Sequence, residues 1–183
     1  MSKINGIYAA SVSILDENLK LDIHKTIRHA ENLIKSGCHG VVIFGSTGQS
    51  QLISLEEKFE LIQNISKSIF KDKFIIGTGL NSLQDTISLI KISNSYNFNN
   101  FLIMPPAYYM YEDKDVIRFY IKLIEKLSNC KIILYNFEKL SGYKFSKESV
   151  EKLASLFPEN IIGVKDSSYN LFEHLKLKNF SIL

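Results

Sequence analysis

Two hydrophobic patterns alternate along the chain. Short apolar runs without internal polar alternation occur at Ile7–Ala10, Val41–Phe44, Phe74–Gly77, Phe101–Met104, Ile132–Asn136 and Ile161–Lys165. Runs of this kind mark strands covered on both faces, as in a parallel sheet. Between them apolar residues return every three or four positions, as they do on a helix buried along one face. Ile23, Ile27, Ala30 and Ile34 predict a first helix, ended by Gly37. Ser54-Leu55-Glu56-Glu57 has the form of a capping box, with Leu55, Phe59, Ile62 and Ile69 continuing the apolar face behind it. Ser82-Leu83-Gln84-Asp85 opens another helix. Val116, Phe119, Leu123 and Leu127 form a further stripe, and Val150, Leu153, Ala154 and Phe157 form one that Pro158 stops.

Strand and helix therefore alternate with a period of roughly 30 residues, the size of a βαβ unit. Right-handed crossovers make all the strands parallel. Two α/β architectures satisfy this pattern, a closed (β/α)₈ TIM barrel and an open doubly wound sheet, and periodicity does not choose between them. Six units are visible, the sixth with a weakly marked helix, and Phe180-Ser181-Ile182-Leu183 reads as the start of another strand. A barrel of this kind needs roughly 250 residues. If the barrel is the form adopted, the chain covers one barrel domain over residues 1–183, truncated after about six β/α units, with the C-terminal part of the barrel missing.

Composition narrows the function classes. Apolar residues at 45% and charged residues at 22% suit a globular core. The net charge of +3 is spread through mixed segments such as Glu148, Glu151 and Lys152, so no nucleic-acid footprint is expected. No run reaches the roughly 18 apolar residues of a membrane span, and the N-terminus carries no signal-peptide core, so no membrane and a cytoplasmic location are expected. Cys38 and Cys130 stand far apart in no ligand spacing, and His24, His29, His39 and His174 do not cluster with acids. No metal is expected.

In either parallel architecture chemistry gathers at the C-terminal ends of strands. Lys165 ends the sixth run there. An amine at the edge of an apolar interior loses the water its charged form needs, and a neutral amine attacks a carbonyl. The same lysine could instead run into solvent or pair with Asp166. Tyr135 ends the fifth run, where a phenol could shuttle a proton or simply be a half-buried aromatic. Gly45-Ser46-Thr47-Gly48 offers N–H groups and hydroxyls for a carboxylate or a phosphate, or is a plain turn. It lacks the Gly-Lys-Ser/Thr of a phosphate loop, and Gly77-Thr78-Gly79 lacks the third glycine of a dinucleotide fingerprint. Tyr108, Tyr109 and Tyr111 could be interface aromatics.

Together these segments resemble the dihydrodipicolinate synthase and N-acetylneuraminate lyase family. Gly45-Ser46-Thr47-Gly48-Gln49-Ser50 with Leu52-Ile53-Ser54-Leu55-Glu56-Glu57 is similar to its GTTGE…LS-x-EE signature. Tyr135-Asn136 with Ser141-Gly142 resembles its YN-x-P-x-x-TG motif, and Ile161 to Ser168 resembles its Schiff-base segment GxKDSSGD. The likeness spans essentially the whole chain. It implies a TIM barrel and a class I, pyruvate-dependent aldolase or lyase that makes or cleaves a carbon–carbon bond. Lys165 would form the Schiff base and Tyr135 would shuttle protons. Ser46 would stand in the hydroxyl relay, and the turn of Ser46, Thr47 and Gly48 would hold the substrate carboxylate. Tyr109 would reach into the neighbouring subunit's site, which implies a homo-oligomer when full length. The partners implied are a 2-keto acid and an aldehyde, with no cofactor beyond the covalent adduct on Lys165.

Three positions depart from the family pattern. Glu138 replaces the usual proline, Tyr169 replaces the glycine that commonly follows KDSS, and Leu140 stands where the true synthases carry a substrate-binding arginine. The last points away from aspartate semialdehyde and toward a 2-keto-3-deoxy sugar acid aldolase. The alternatives are 4-hydroxy-tetrahydrodipicolinate synthase of lysine biosynthesis, a non-catalytic 2-keto-acid-binding member and an inactive fragment.

Overall fold

Each apolar run becomes a strand, with boundaries within one residue of those predicted. The computed structural model describes residues 4–127 and 129–183, so Met1–Lys3 of the N-terminal reading lie outside the described residues. The strands are β1 (Tyr8–Ala10), β2 (Gly40–Ile43), β3 (Phe74–Gly77), β4 (Asn100–Ile103), β5 (Lys131–Asn136), β6 (Ile161–Asp166) and β7 (Ser181–Ile182). They pair in parallel in the order of the chain. An open doubly wound sheet reverses its strand order at a switch point, and this sheet does not, so the barrel type holds. The sheet curls until the Ser181 hydroxyl donates to the carbonyl of Ile4, 3.1 Å away.

The helices lie on the outer side. They are α1 (Ile23–Lys35), α2 (Leu55–Ile65), α3 (Leu83–Ser95), α4 (Asp113–Ile124), the short α5 (Glu138–Ser141) and α6 (Lys147–Leu156). Local chemistry sets their ends. Asp22 caps α1, and past its last turn Gly37 (φ 109°) and Cys38 donate to the carbonyls of Ile34 and Leu33, the hydrogen bonds of a left-handed C-terminal cap. Ser54 and Glu57 form the expected capping box of α2. Ile69 does not continue that helix's apolar face: α2 ends at Ile65 and Ile69 is 90% exposed. The weakly marked sixth helix does not form either. Between β6 and β7 the chain runs in turns that bury Leu171 and Leu175.

Strand alternation splits the core in two. Outward residues such as Val41, Ile43, Phe74, Ile76, Phe101, Ile103, Ile132 and Leu134 pack under the helices. Inward residues Val42, Ile75, Leu102, Met104, Ile133 and Tyr135 fill the curl, with Tyr8 and Ile162 against them. One irregularity decides which way Lys165 points. Ile132 pairs with Ile161 but Ile133 pairs with Gly163, leaving Ile162 as an extra residue on β6. Ile161 and Val164 both pack outward, three positions apart. Regular alternation from Ile161 would point Lys165 outward; the bulge reverses it and brings Lys165 level with Tyr135 on the inner face.

Lys58 breaks the apolar pattern of α2. It is 0% exposed, donates to the Thr78 carbonyl at 3.1 Å, and its amine lies 5.9 Å from the centre of the Phe44 ring. Burial lowers its pKa from 10.5 to about 8, with Asp85 partly opposing the shift. The unfolded chain thus holds this proton to higher pH than the folded one, so stability rises from about pH 8 to about 10.5 and the full penalty stands below about 8. Lys58→Met is expected to stabilise the fold by about 1–3 kcal/mol at pH 7. The Thr78 carbonyl stays satisfied because the Ser50 hydroxyl also donates to it. The gain should shrink at pH 10. Urea unfolding at both pH values checks this, and equal gains would sink it.

Candidate active site

The inner ends of β2, β5 and β6 bring three predicted residues together. Tyr135 and Lys165 are register partners on neighbouring strands. The Lys165 amine lies 4.1 Å from the centre of the Tyr135 ring and donates to the Ser167 hydroxyl at 2.8 Å. On the other side the Tyr135 hydroxyl is 2.8 Å from the Ser46 hydroxyl. The three side chains thus form a continuous amine, aromatic ring and hydroxyl series across the curled sheet.

Ser46 reaches this place because β2 ends in a sharp turn. Phe44 is buried and adopts φ 54°, a left-handed backbone that costs a residue with a Cβ roughly 1–2 kcal/mol. Gly77 passes so close to the Phe44 carbonyl that a Cβ there would overlap it. In the following turn Thr47 is exposed and Gly48 is buried. The Ser13 hydroxyl donates to the Gly48 carbonyl at 2.6 Å. The backbone N–H groups of Ser46 and Thr47 make no hydrogen bond among the described residues.

Tyr109 does not join the group. It is 66% exposed on the loop after β4 and stacks edge-on against Tyr108 and Tyr111, at 5.1 and 6.5 Å. Its ring pairs are with these two neighbouring tyrosines on the same loop.

A cavity of about 250 Å³ opens beside the series. Its wall includes Phe44, Ser46, Ser50, Leu102, Met104, Tyr135 and Leu140, but not Lys165. Leu140 lies on α5, where the resemblance places an arginine in the synthases. Among the described residues the wall contains no charged side chain. A second recess, about 770 Å³, lies at the opposite end of the strands, near Asn100, Lys131 and Ile161. That end of such a sheet serves stability more than chemistry.

Behind the inner face is a polar cluster that the pattern of the sequence did not foretell. Asn136 and Asp166 follow Tyr135 and Lys165, so alternation turns them outward, and both are buried. Asn136 Nδ2 donates to Asp166 at 2.8 Å and to Asn170 at 2.7 Å, and its Oδ1 accepts from the Phe145 N–H at 3.0 Å. The Asp166 carboxylate also accepts the N–H groups of Ser168, Asn170 and Leu171. Buried polar groups satisfied to this degree fix a loop in one conformation. Within that loop Tyr169 adopts φ 55°, which explains why the related motif carries glycine there. Among the described residues no group of three or more His, Cys, Asp or Glu side chains is placed to hold a metal ion. No helix there is long and apolar enough to cross a membrane.

Fold and site together define the class: a parallel barrel-type α/β protein with an amine, a phenol and a hydroxyl gathered at the C-terminal ends of its strands. The chain matches the dihydrodipicolinate synthetase family over residues 3–181, and it belongs to that family. It is similar to the 4-hydroxy-tetrahydrodipicolinate synthase of Listeria monocytogenes, at 34% identity over 158 residues, 85% of this chain and 52% of that protein. The crystal structure of dihydrodipicolinate synthase from Agrobacterium tumefaciens superposes with a TM-score of 0.88 at 26% identity, covering 97% of this chain and 65% of that one. A pyruvate complex of a 2-keto-3-deoxygluconate aldolase variant from Sulfolobus solfataricus gives 0.78 at 26% identity, covering 88% and 53%. The chain therefore spans between half and two thirds of the length of these proteins.

Proposed function

We propose that this chain carries the Schiff-base site of a pyruvate-dependent class I aldolase. The observation that carries this reading is the placement of Lys165 beside Tyr135 on neighbouring strand ends, with Tyr135 hydrogen-bonded to Ser46. The Lys165 amine adds to the keto carbon of pyruvate, and loss of water leaves an iminium. The iminium draws electrons from the adjacent carbon, so a proton leaves it and an enamine forms. Tyr135 moves that proton, with Ser46 as the next hydroxyl in the relay. The free N–H groups of Ser46 and Thr47 hold the carboxylate, with Gly48 closing the turn. The enamine then adds to an aldehyde, or the reverse sequence cleaves a longer 2-keto acid. Borohydride reduction in the presence of pyruvate, followed by peptide mass spectrometry, tests the reading. The expected product is a reduced pyruvyl adduct on Lys165; an adduct on another lysine with Lys165 free would overturn it.

The second substrate half occupies the cavity of about 250 Å³. Its uncharged wall, with Leu140 in the arginine position, favours the aldehyde of a 2-keto-3-deoxy sugar acid over aspartate semialdehyde. Leu140→Arg is expected to raise kcat/KM for aspartate semialdehyde relative to glyceraldehyde by roughly tenfold, the worth of one exposed charge-assisted hydrogen bond. An unchanged ratio would remove Leu140 from the specificity argument. The exposed tyrosines of the loop after β4 serve as a subunit contact, from which Tyr109 completes the neighbouring copy's site. The measurement for that arm is the loss of dimer on Tyr109→Ala in sedimentation; a variant that stays as associated as the parent refutes it.

A further inference from the structure

In the structure the hydroxyl that touches the reactive nitrogen belongs to Ser167. Tyr135 faces the Lys165 amine with its ring, while its own hydroxyl is engaged with Ser46. The Ser167 hydroxyl accepts from the amine at 2.8 Å. Ser167 is also held on both sides. Its N–H donates to the Asn136 carbonyl at 2.8 Å, and the next residue's N–H donates to Asp166 at 3.1 Å. The Ser168 hydroxyl accepts the Glu138 N–H at 2.9 Å, tying the same turn to α5. A hydroxyl fixed in this way is preorganised toward one atom.

We propose that Ser167 is a catalytic residue that moves the proton in the first covalent step. The inference rests on the Schiff-base reading of Lys165. The lone pair of the Lys165 amine forms the bond to the keto carbon of pyruvate, and the carbonyl π pair moves onto oxygen. The nitrogen then carries a positive charge and the oxygen a negative one. Ser167 takes one N–H proton and gives its own hydroxyl proton to that oxygen. The product is a neutral carbinolamine, and Ser167 ends as it began. Without this path the proton must take a less direct route, through solvent or the Tyr135 hydroxyl, so adduct formation slows while the final adduct is unchanged.

The test is the rate at which the reduced pyruvyl adduct on Lys165 accumulates in timed borohydride quenches, read by mass spectrometry. Parent, Ser167→Ala and Ser167→Thr chains are compared over a range of pH, with thermal unfolding alongside. Ser167→Ala is expected to form the adduct roughly 10- to 100-fold more slowly, with the same end point and the same melting temperature. Ser167→Thr, which keeps the hydroxyl, should recover most of the rate. A parent-like rate in Ser167→Ala would overturn the proposal while leaving the Schiff base intact. Slow Ser167→Ala and Ser167→Thr chains that also melt early would overturn it in favour of a purely structural role. No adduct in the parent chain would instead bring down the Schiff-base reading and this step with it.

Discussion

Replacing Lys165 by arginine is expected to abolish the pyruvyl adduct and to lower aldol turnover by at least roughly 1,000-fold. Arginine keeps a cation above the Tyr135 ring, where Lys165 now lies 4.1 Å from its centre, so the packing of β5 against β6 is preserved. Its guanidinium stays charged and its lone pairs are delocalised, so it cannot add to a carbonyl. The substitution thus separates nucleophilicity from charge and bulk. The measurement is intact and peptide mass spectrometry after borohydride, with circular dichroism as a control for folding. Lys58 is the informative rival, since it is a buried amine with a lowered pKa. It belongs to the buried face of α2 and reaches the Thr78 carbonyl, so it should remain unmodified. Adduct persisting in Lys165→Arg would place the chemistry elsewhere.

Tyr135→Phe is expected to lower kcat by roughly 100- to 1,000-fold with little change in KM for pyruvate. The ring remains beneath the amine and in the inner core, so binding and fold are retained. What is lost is the hydroxyl 2.8 Å from Ser46, the link that the proposed relay uses for the adjacent carbon's proton. Solvent exchange of the pyruvate methyl protons, followed by NMR, isolates this step from the aldehyde. Exchange should slow in parallel with kcat. Exchange at the parent rate would remove Tyr135 from the proton path.

The parallel sheet is legible in the sequence because each strand is a short, largely apolar run, and burial on both faces demands that; the barrel rather than the open sheet is legible only through the resemblance. Lys165, Tyr135 and Ser46 are legible as a group only because three motifs occur in order; each alone has an ordinary reading. The four-residue α5 is too short to show a helical period, and Ile69 imitates one by spacing while lying past the end of α2. Lys58 is invisible because a charged residue on an apolar stripe reads as a break in it, whereas its buried amine finds a carbonyl. The contact of Lys165 with Ser167 depends on the turn held by Asp166 and Asn136, pairings made across strands, which no local pattern encodes. Tyr109 is assigned to the site by resemblance alone; within one chain it is stacked on its neighbours Tyr108 and Tyr111.

The extra residue at Ile162 gives β6 two ways to lie against β5. In the one adopted, Ile133 is matched to Gly163 and Tyr135 to Lys165. Sliding the later part of β6 by one position, so that Ile133 met Ile162, would erase the irregularity and leave a smooth ladder. It would also set Lys165 beside Asn136, under the helices, and turn Asp166 into the barrel. The two arrangements use the same residues and nearly the same number of backbone hydrogen bonds, so the ladder alone is a poor judge between them. The judge is the bond from Asn136 to the Asp166 carboxylate, which turning Asp166 into the barrel would break; the N–H groups of Ser168, Asn170 and Leu171 complete the carboxylate's shell in the adopted alignment. Asn136 and Asp166 thus act as a latch on alignment, holding the Lys165 amine on the inner face beside Tyr135. Removing Ile162 outright would make that latch unnecessary, since the shortened strand carries its lysine inward by plain alternation. A gap at this position in another chain of the family is therefore compatible with an intact site, whereas loss of the latch with Ile162 retained is not.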